Sequence, residues 1–215
     1  SAYTSRGPTN LGGRTRAIVV DISDGSSNTI LAGGVSSGLF RTTNGGLSWI
    51  KVSANDEIHN VTALAQDPTN TNIWYYGAGE WSGNSASLGS AYRGRGVWKS
   101  IDGGINWTQI PGTDSAQENF DSIYDYIMAL EVSPINGDLL IAATGKIIRF
   151  NGTNLTTELE ESGGGTGWTD VVINRVGVVY ASIEGTSPEN GVWVSPTGNG
   201  SWTRIAQNGT PAAWS

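Results

Sequence analysis

The sequence predicts an all-β fold assembled from repeated four-stranded units, and three observations predict it. The first is composition. Of 215 residues, 31 are Gly and 9 are Trp, and only 14% are charged, against usual values of about 7% Gly and about 25% charge. Such a chain is too aromatic and too weakly charged for disorder. It is too rich in Gly and too poor in Lys, Glu and Met for a helical bundle, and it lacks the three-residue Gly period of collagen. The second is a hairpin pattern that occurs three times, as GLFRTTNGGLSWIKV at 38–52, GVWKSIDGGINWTQI at 96–110 and GVWVSPTGNGSWTRI at 191–205. The third is a pair of short apolar runs ahead of each hairpin, which completes four strands per unit.

Each element follows from its residues. Leu39-Phe40, Val97-Trp98 and Val192-Trp193 open a strand. Asn44-Gly45-Gly46 and Asp102-Gly103-Gly104 supply turn positions that need φ > 0. Trp49, Trp107 and Trp202 begin the return strand and pack back on the unit. Upstream lie RAIVVD (16–21) and TILAG (29–33) in the first unit, and VTALAQD (61–67) and IWYYG (73–77) in the second. The fourth unit has WTDVVIN (168–174) and VVYASI (178–183). Between them, the third has IMALEVS (127–133), DLLIAA (138–143) and KIIRF (146–150). That third unit keeps its strands but has no turn Trp, and Asn151-Gly152-Thr153 is a worn version of the turn. Arg41, Lys99, Arg149 and Val194 mark equivalent third-strand positions, spaced 58, 50 and 45 residues apart. Four strands and about 50 residues per unit predict the blades of a β-propeller. The expected blades are 16–52, 61–110, 126–157 and 168–205, with a lead-in at 1–15 and 206–215 running toward a further blade.

The repeated turn resembles the Asp-box, or BNR repeat, Ser/Thr-x-Asp/Asn-x-Gly-x-Ser/Thr/Asn-Trp. It stands here as Thr42-Thr43-Asn44-Gly45-Gly46-Leu47-Ser48-Trp49 and as Ser100-Ile101-Asp102-Gly103-Gly104-Ile105-Asn106-Trp107. A third copy, Ser195 to Trp202, has Thr197 where Asp belongs. The segment GPTNLGGRTRA at 7–17 resembles the first blade of large exported proteins of Bacteroidota, sortilin-like or glycosyl-hydrolase-like, many of which leave the cell by the type IX secretion system. The resemblance implies a secreted or cell-surface bacterial protein. Asp-box propellers usually have six, seven or ten blades, so four blades imply part of a larger propeller, seven- or eight-bladed, within a longer polypeptide. A closed four-bladed ring is the alternative. Met128 is the only Met and the chain starts at Ser1, which fits an excised segment. The resemblance also implies a structural role for Asn44, Gly46, Trp49, Asp102, Gly104, Trp107 and Trp202, whose turns lock their hairpins on the side opposite the ligand face.

The ligand-face loops join the second strand to the third, and the fourth strand to the next blade. The loop GAGEWSGNSASLGSAYRGRG at 77–96 carries Glu80, Trp81, Tyr92, Arg93 and Arg95. The stretch 111–126 carries Glu118, Phe120, Asp121, Tyr124 and Asp125, and 53–60 carries Asp56, Glu57 and the lone His59. Arg14 precedes the first strand and is expected to point to the same mouth. Aromatic and charged groups converging on a groove suit a glycan or a protein ligand, through ring stacking and bidentate Arg bonds. The binding candidates are therefore Arg14, Glu80, Trp81, Tyr92, Arg93, Arg95, Asp121, Tyr124 and Asp125. His59 is expected to be a solvated loop residue.

Nothing in the sequence assigns a catalytic residue. Sialidases share the Asp-box but need an Arg-Ile-Pro element, which is absent. Xyloglucanase-type hydrolases place a first catalytic Asp after the second strand of the first blade, and here Gly33-Gly34-Val35-Ser36-Ser37-Gly38 holds no carboxylate. No nucleophile elbow accompanies His59, and no spacing of metal ligands appears, so neither a metal nor a cofactor is expected. Asp114-Ser115-Ala116 and Asp121-Ser122-Ile123 resemble the Bacteroidota O-glycosylation pattern and make Ser115 and Ser122 candidates for modification. The net charge of −7, with only 12 Lys and Arg, argues against nucleic acid. No 18-residue apolar run is present, so no membrane span is expected, and the absence of Cys removes disulfides. The reading is a non-catalytic propeller module that binds a glycan or protein partner. One alternative is an Asp-box glycoside hydrolase with catalytic groups partly outside this segment. Another is an exported cargo segment captured by secretion machinery.

Overall fold

The computed structural model describes residues 14–55, 59–81, 91–114, 122–162, 167–184 and 188–207. Each predicted unit is a four-stranded antiparallel sheet with its strands side by side in chain order. The first blade holds β1 (Thr15–Val20), β2 (Ile30–Gly34), β3 (Gly38–Thr42) and β4 (Ile50–Lys51). The second holds β5 (Val61–Gln66), β6 (Trp74–Ala78), β7 (Val97–Ser100) and β8 (Thr108–Gln109). The third holds β9 (Ile127–Val132), β10 (Leu139–Ala143), β11 (Lys146–Phe150) and β12 (Leu155–Glu160). The fourth holds β13 (Thr169–Ile173), β14 (Val179–Ile183), β15 (Gly191–Ser195) and β16 (Thr203–Ala206). Among the described residues the helical content is one 3-10 turn, Ile123–Asp125, and no helix is long and apolar enough to cross a membrane.

The first strands of the blades are neighbours: β1 packs on β5, β5 on β9 and β9 on β13. Val19, Gln66, Leu130 and Ile173, one from each first strand, line a shared axial cavity of about 380 Å³. This radial stack of four-stranded sheets is a β-propeller architecture.

Strand alternation builds three cores, one at each blade boundary. Leu31 and Leu39 meet Val61, Leu64, Trp74 and Tyr76. The opposite face of the second blade sends Ala65, Tyr75 and Val97 against Leu130, Ile141 and Ile148. Leu140 and Ile147 then meet Val171, Val179 and Ala181. Both faces of a middle blade are covered, so β6 and β10 are buried at every position. That is why the runs Trp74-Tyr75-Tyr76 and Leu139-Leu140-Ile141 replace simple polar alternation there. Close approach sets composition too: a Cβ on Gly33 or Gly77 would lie 2.4 Å from Val61 and 2.3 Å from Ile127 on the next blade's first strand.

The register bears out the third-strand equivalence, because Arg41, Lys99, Arg149 and Val194 pair with Leu31, Tyr75, Leu140 and Tyr180 respectively, each the second residue of its blade's second strand. The turn after the third strand spans seven residues, 43–49, 101–107 and 196–202, in the first, second and fourth blades. In the third blade it spans four, 151–154. A hydroxyl ends each long-turn strand and accepts a glycine N–H: Thr42 from Gly46 at 3.1 Å, Ser100 from Gly104 at 3.0 Å and Ser195 from Gly198 at 2.9 Å. The Asn44 amide oxygen accepts from Ser48 N–H at 3.0 Å, and the Asp102 carboxylate from Asn106 N–H at 2.9 Å. The three Trp residues stand one position before the return strands, not within them, so they close the turn. Trp107 packs back as expected, its ring edge-on to Tyr76 with centroids 4.8 Å apart.

Candidate functional site

The mouth formed by the first three blades is shaped by a repeated irregularity. In β1, β5 and β9 the pairing register shifts near the strand start, between Thr15 and Ala17, between Val61 and Ala63, and between Ile127 and Ala129. A bulge frees one residue from the ladder and re-aims its side chain. Each re-aimed residue reaches the next blade. Arg16 Nε lies 3.2 Å from the Glu80 carboxylate, Thr62 Oγ1 donates to the Ile127 carbonyl at 2.7 Å, and Met128 Sδ accepts from Thr169 N–H at 3.1 Å.

Glu80 is the centre of the predicted site, and it is 3% exposed. Its carboxylate is paired with the guanidinium of Arg14 on one side and Arg16 on the other. Its backbone makes a two-way bridge with Tyr92, at 2.7 and 2.8 Å. Tyr92 itself is 42% exposed. Trp81 sits edge-on to the buried ring of Tyr126, with centroids 4.9 Å apart. Arg93 hydrogen-bonds the Tyr126 hydroxyl, whose pKa burial raises despite that nearby cation. The Arg93 carbonyl also accepts from the Asn60 side-chain amide at 2.5 Å. Arg95 grips the Asp114 carboxylate through Nε at 3.2 Å and Nη2 at 2.9 Å, while its carbonyl accepts from the indole of Trp98.

Asp125 is fully buried. With Ser122 it forms a capping box on the 3-10 turn: Asp125 accepts from Ser122 N–H, and Ser122 Oγ accepts from Tyr124 N–H, both at 3.1 Å. The Tyr124 and Asp125 carbonyls accept from Gly96 and Gly94, which ties the loop of the second blade to the run-in of the third. Burial raises the Tyr124 hydroxyl pKa. The predicted Arg14, Glu80, Trp81, Tyr92, Arg93, Tyr124 and Asp125 thus fall in one interlocked region, while Arg95 is turned toward Asp114. Asp56, Glu57, Ser115, Glu118, Phe120 and Asp121 lie outside the described residues.

His59 departs from its expected place in solvent. It is 4% exposed, with Nδ1 2.7 Å from the Tyr76 hydroxyl and its ring edge-on to Trp98 at 5.1 Å. The aromatic residues of β6 and β7 outweigh the polar loop around it, because large rings bury the most apolar area available at that boundary. Sequence reasoning also missed Arg16, Asn60 and Tyr126. Arg16 was legible only as a strand residue, and Asn60 only as the last residue of the 53–60 loop.

Glu80 and Asp125 are thus both engaged by groups of the protein itself. Glu80 pairs with two guanidinium groups and Asp125 caps a turn, while the β2–β3 turn of the first blade buries Val35 and presents Ser36 and Ser37. What this face offers a ligand is aromatic and hydrogen-bonding surface, on a framework tied by the buried Glu80 carboxylate and its two partly exposed arginines.

No protein-family model matches the chain, and no curated protein matches it in sequence. Solved structures do resemble it in fold. An ancestral GH74 enzyme superposes with a TM-score of 0.67 at 21% identity, over 91% of this chain and 26% of that one. The GH74 xyloglucanase from Xanthomonas campestris gives 0.63 at 16% identity, over 90% of this chain and 30% of that one. YCF48 bound to D1 peptide gives 0.54 at 15% identity, over 91% of this chain and 54% of that one. The chain spans under a third of the two GH74 structures and about half of YCF48. At these identities the likeness establishes the β-propeller fold.

Proposed function

We propose that this chain is a non-catalytic binding module of an exported or cell-surface bacterial protein, an Asp-box propeller of the sortilin-like and glycosyl-hydrolase-like kind. Its four blades form part of a seven- or eight-bladed propeller whose ligand face takes a glycan or a protein partner. The observation that carries this reading is the engagement of the mouth carboxylates, Glu80 between Arg14 and Arg16, and Asp125 in its capping box. A glycoside hydrolase sets two carboxyl groups across the sugar, roughly 5–10 Å apart and open to it. Neither of these groups has an open face. Export is supported by the GPTNLGGRTRA segment and the repeated turn. Both ligand classes suit the fold, since one structural neighbour is a xyloglucanase and another is bound to a peptide.

The hydrolase reading keeps one specific support, the extended likeness to GH74 enzymes. It requires acids supplied from outside this segment. The test is a glycan array and a pull-down with the full-length parent, beside Tyr92→Ala. Saturable binding weakened by Tyr92→Ala is the expected result. Release of reducing sugar from xyloglucan would overturn the non-catalytic reading. Capture of secretion machinery alone would replace it by the cargo reading.

A further inference from the structure

A single third-strand position is cationic in the first three blades, and one of the three cations has no oxygen partner among the described residues. In the first blade Arg41 Nε donates to the Gly103 carbonyl at 3.1 Å, in the long turn of the next blade. In the third blade Arg149 donates to Glu158 at 2.8 Å, and Glu158 in turn accepts from Gly200 N–H at 2.6 Å in the long turn of the fourth blade. In the second blade the position is Lys99, and the turn that would meet it is the short one, 151–154. There the Cβ direction of Gly152 meets no atom within 4 Å. The Lys99 ammonium stands over two rings, 5.8 Å from the centroid of Tyr75 and 6.0 Å from that of Phe150. Among the described residues it meets no carboxylate or carbonyl oxygen at hydrogen-bonding distance.

The shortened turn leaves a groove of about 510 Å³, walled by Ile101, Ile110, Pro111 and Phe150 with Lys99 at its floor. That volume lies within the roughly 300–1,000 Å³ range of ligand sites. Asp102 also borders it, but its carboxylate is held by Ser100 and Asn106 of its own turn. Ile101 is 72% exposed.

We propose that this groove docks a peptide turn from a partner protein, one that sets a carboxylate on Lys99 and a bulky apolar side chain against Ile101 and Pro111. The neighbouring blades show what a cation at this position bonds: a carbonyl of a tight, Gly-rich turn at Arg41, and a carboxylate, itself tied to such a turn, at Arg149. A carboxylate is favoured over a carbonyl because the half-buried cation has no carboxylate at ion-pair distance among the described residues, and a charge-assisted bond is about twice as strong as a neutral one. The apolar side chain adds burial over Ile101 and Pro111. The site is separate from the ligand face, so its test does not depend on the reading above.

The test titrates the full chain with capped Leu-Asp-Gly-Leu and capped Leu-Asn-Gly-Leu tetrapeptides, followed by NMR and calorimetry. Saturable binding of the Asp peptide is expected, with signals perturbed around residues 99–111. The Asn peptide should bind about tenfold more weakly, since a charged hydrogen bond is lost. Lys99→Met should weaken the Asp peptide by about the same factor, while Lys99→Arg keeps it within about threefold. Ile101→Ser alters an exposed side chain and reads the apolar wall even if Lys99→Met fails to fold. Absence of saturable binding, equal affinity for both peptides, indifference to Lys99→Met, or perturbation at Trp81 and Tyr92 instead would each overturn the proposal. So would concentration-dependent self-association abolished by Ile101→Ser, which would make a second copy the occupant.

Discussion

Arg41 donates its Nε–H to the carbonyl of Gly103 across a blade boundary, at 3.1 Å. A side chain 62 residues upstream therefore holds the backbone of the second blade's turn. The same turn seats on the first blade by contact: a Cβ on Gly104 would lie 2.7 Å from Leu31 Cδ2. Gly198 seats likewise, with Leu140 Cδ atoms 3.4 Å from its Cβ position. The turns thus serve as latches between blades as well as hairpin ends.

The latch separates two glycines that look alike in sequence. Gly103 and Gly104 have φ of +77° and +79°, but a Cβ on Gly103 meets nothing within 4 Å. Gly103→Ala should cost only the left-handed backbone, about 1–2 kcal/mol, or roughly 2–8 °C in Tm for a chain of this size. Gly104→Ala adds overpacking against fully buried Leu31, for a total of about 2–4 kcal/mol. Thermal melts of both variants check this. Equal losses would remove the latch.

Arg149 carries the boundary between the third and fourth blades. It is 8% exposed and binds Glu158 and Asp138 at 2.8 and 3.1 Å. The hydrogen bond to Glu158, chiefly, holds its pKa above the ordinary arginine value. Glu158 also accepts from Gly200 N–H and from the Trp202 indole. Arg149→Met leaves two carboxylates without their cation, and should cost about 3–5 kcal/mol. Trp202 fluorescence should shift in the native baseline, because Glu158 loses the group that orients it. Urea melts followed by that fluorescence test both parts.

Much of the fold was legible because its signals are local. KIIRF at 146–150 coincides with β11, and the worn turn after it is the short one. Turn glycines and alternating apolar residues act within a few positions, so a single sequence displays them. The site was less legible because its contacts are not local. Glu80 is buried by Arg14, 66 residues away. The bulges that aim Arg16, Thr62 and Met128 depend on partner strands and leave no mark in the alternation. His59 looked solvated because its neighbours in sequence are polar, whereas its neighbours in space are Tyr76 and Trp98.

Asp102 tests how much the turn depends on its carboxylate. Four donors hold its charged form, and the Asn106 backbone N–H is the strongest of the influences that lower its pKa from 3.8 to about 2. A depressed carboxylate stabilises the fold above its unfolded pKa, and that share is lost as pH falls from 3.8 through about 2. The group is almost fully exposed, so solvent limits this share to below about 1 kcal/mol. Asp102→Ala should lower stability by about 1 kcal/mol at pH 7 and flatten the acid limb of the stability profile. Asp102→Asn should fall between the two, as Asn44 already fills the same place in the first blade. Denaturant melts from pH 2 to pH 7 distinguish the three.

Glu131 should show the opposite pH dependence. It lines the axial cavity, where burial raises its pKa from 4.5 to about 7, with the Asp170 charge adding to the rise; Arg175 borders the same cavity. Below pH 4.5 the carboxyl is protonated in folded and unfolded chains alike, and contributes no difference. Between 4.5 and about 7 the folded state holds the proton that the unfolded state gives up, so stability falls as pH rises across this window. Glu131→Gln removes that slope. The variant should match the parent near pH 4 and exceed it by about 1–2 kcal/mol above pH 7, after allowing for the solvent that reaches a half-buried group. Urea melts at pH 4, 6 and 8 provide the comparison. A variant less stable than the parent at pH 8 would mean that the ionised Glu131 is held by a favourable contact, with Arg175 as the cation in the cavity lining, and that burial does not govern its titration.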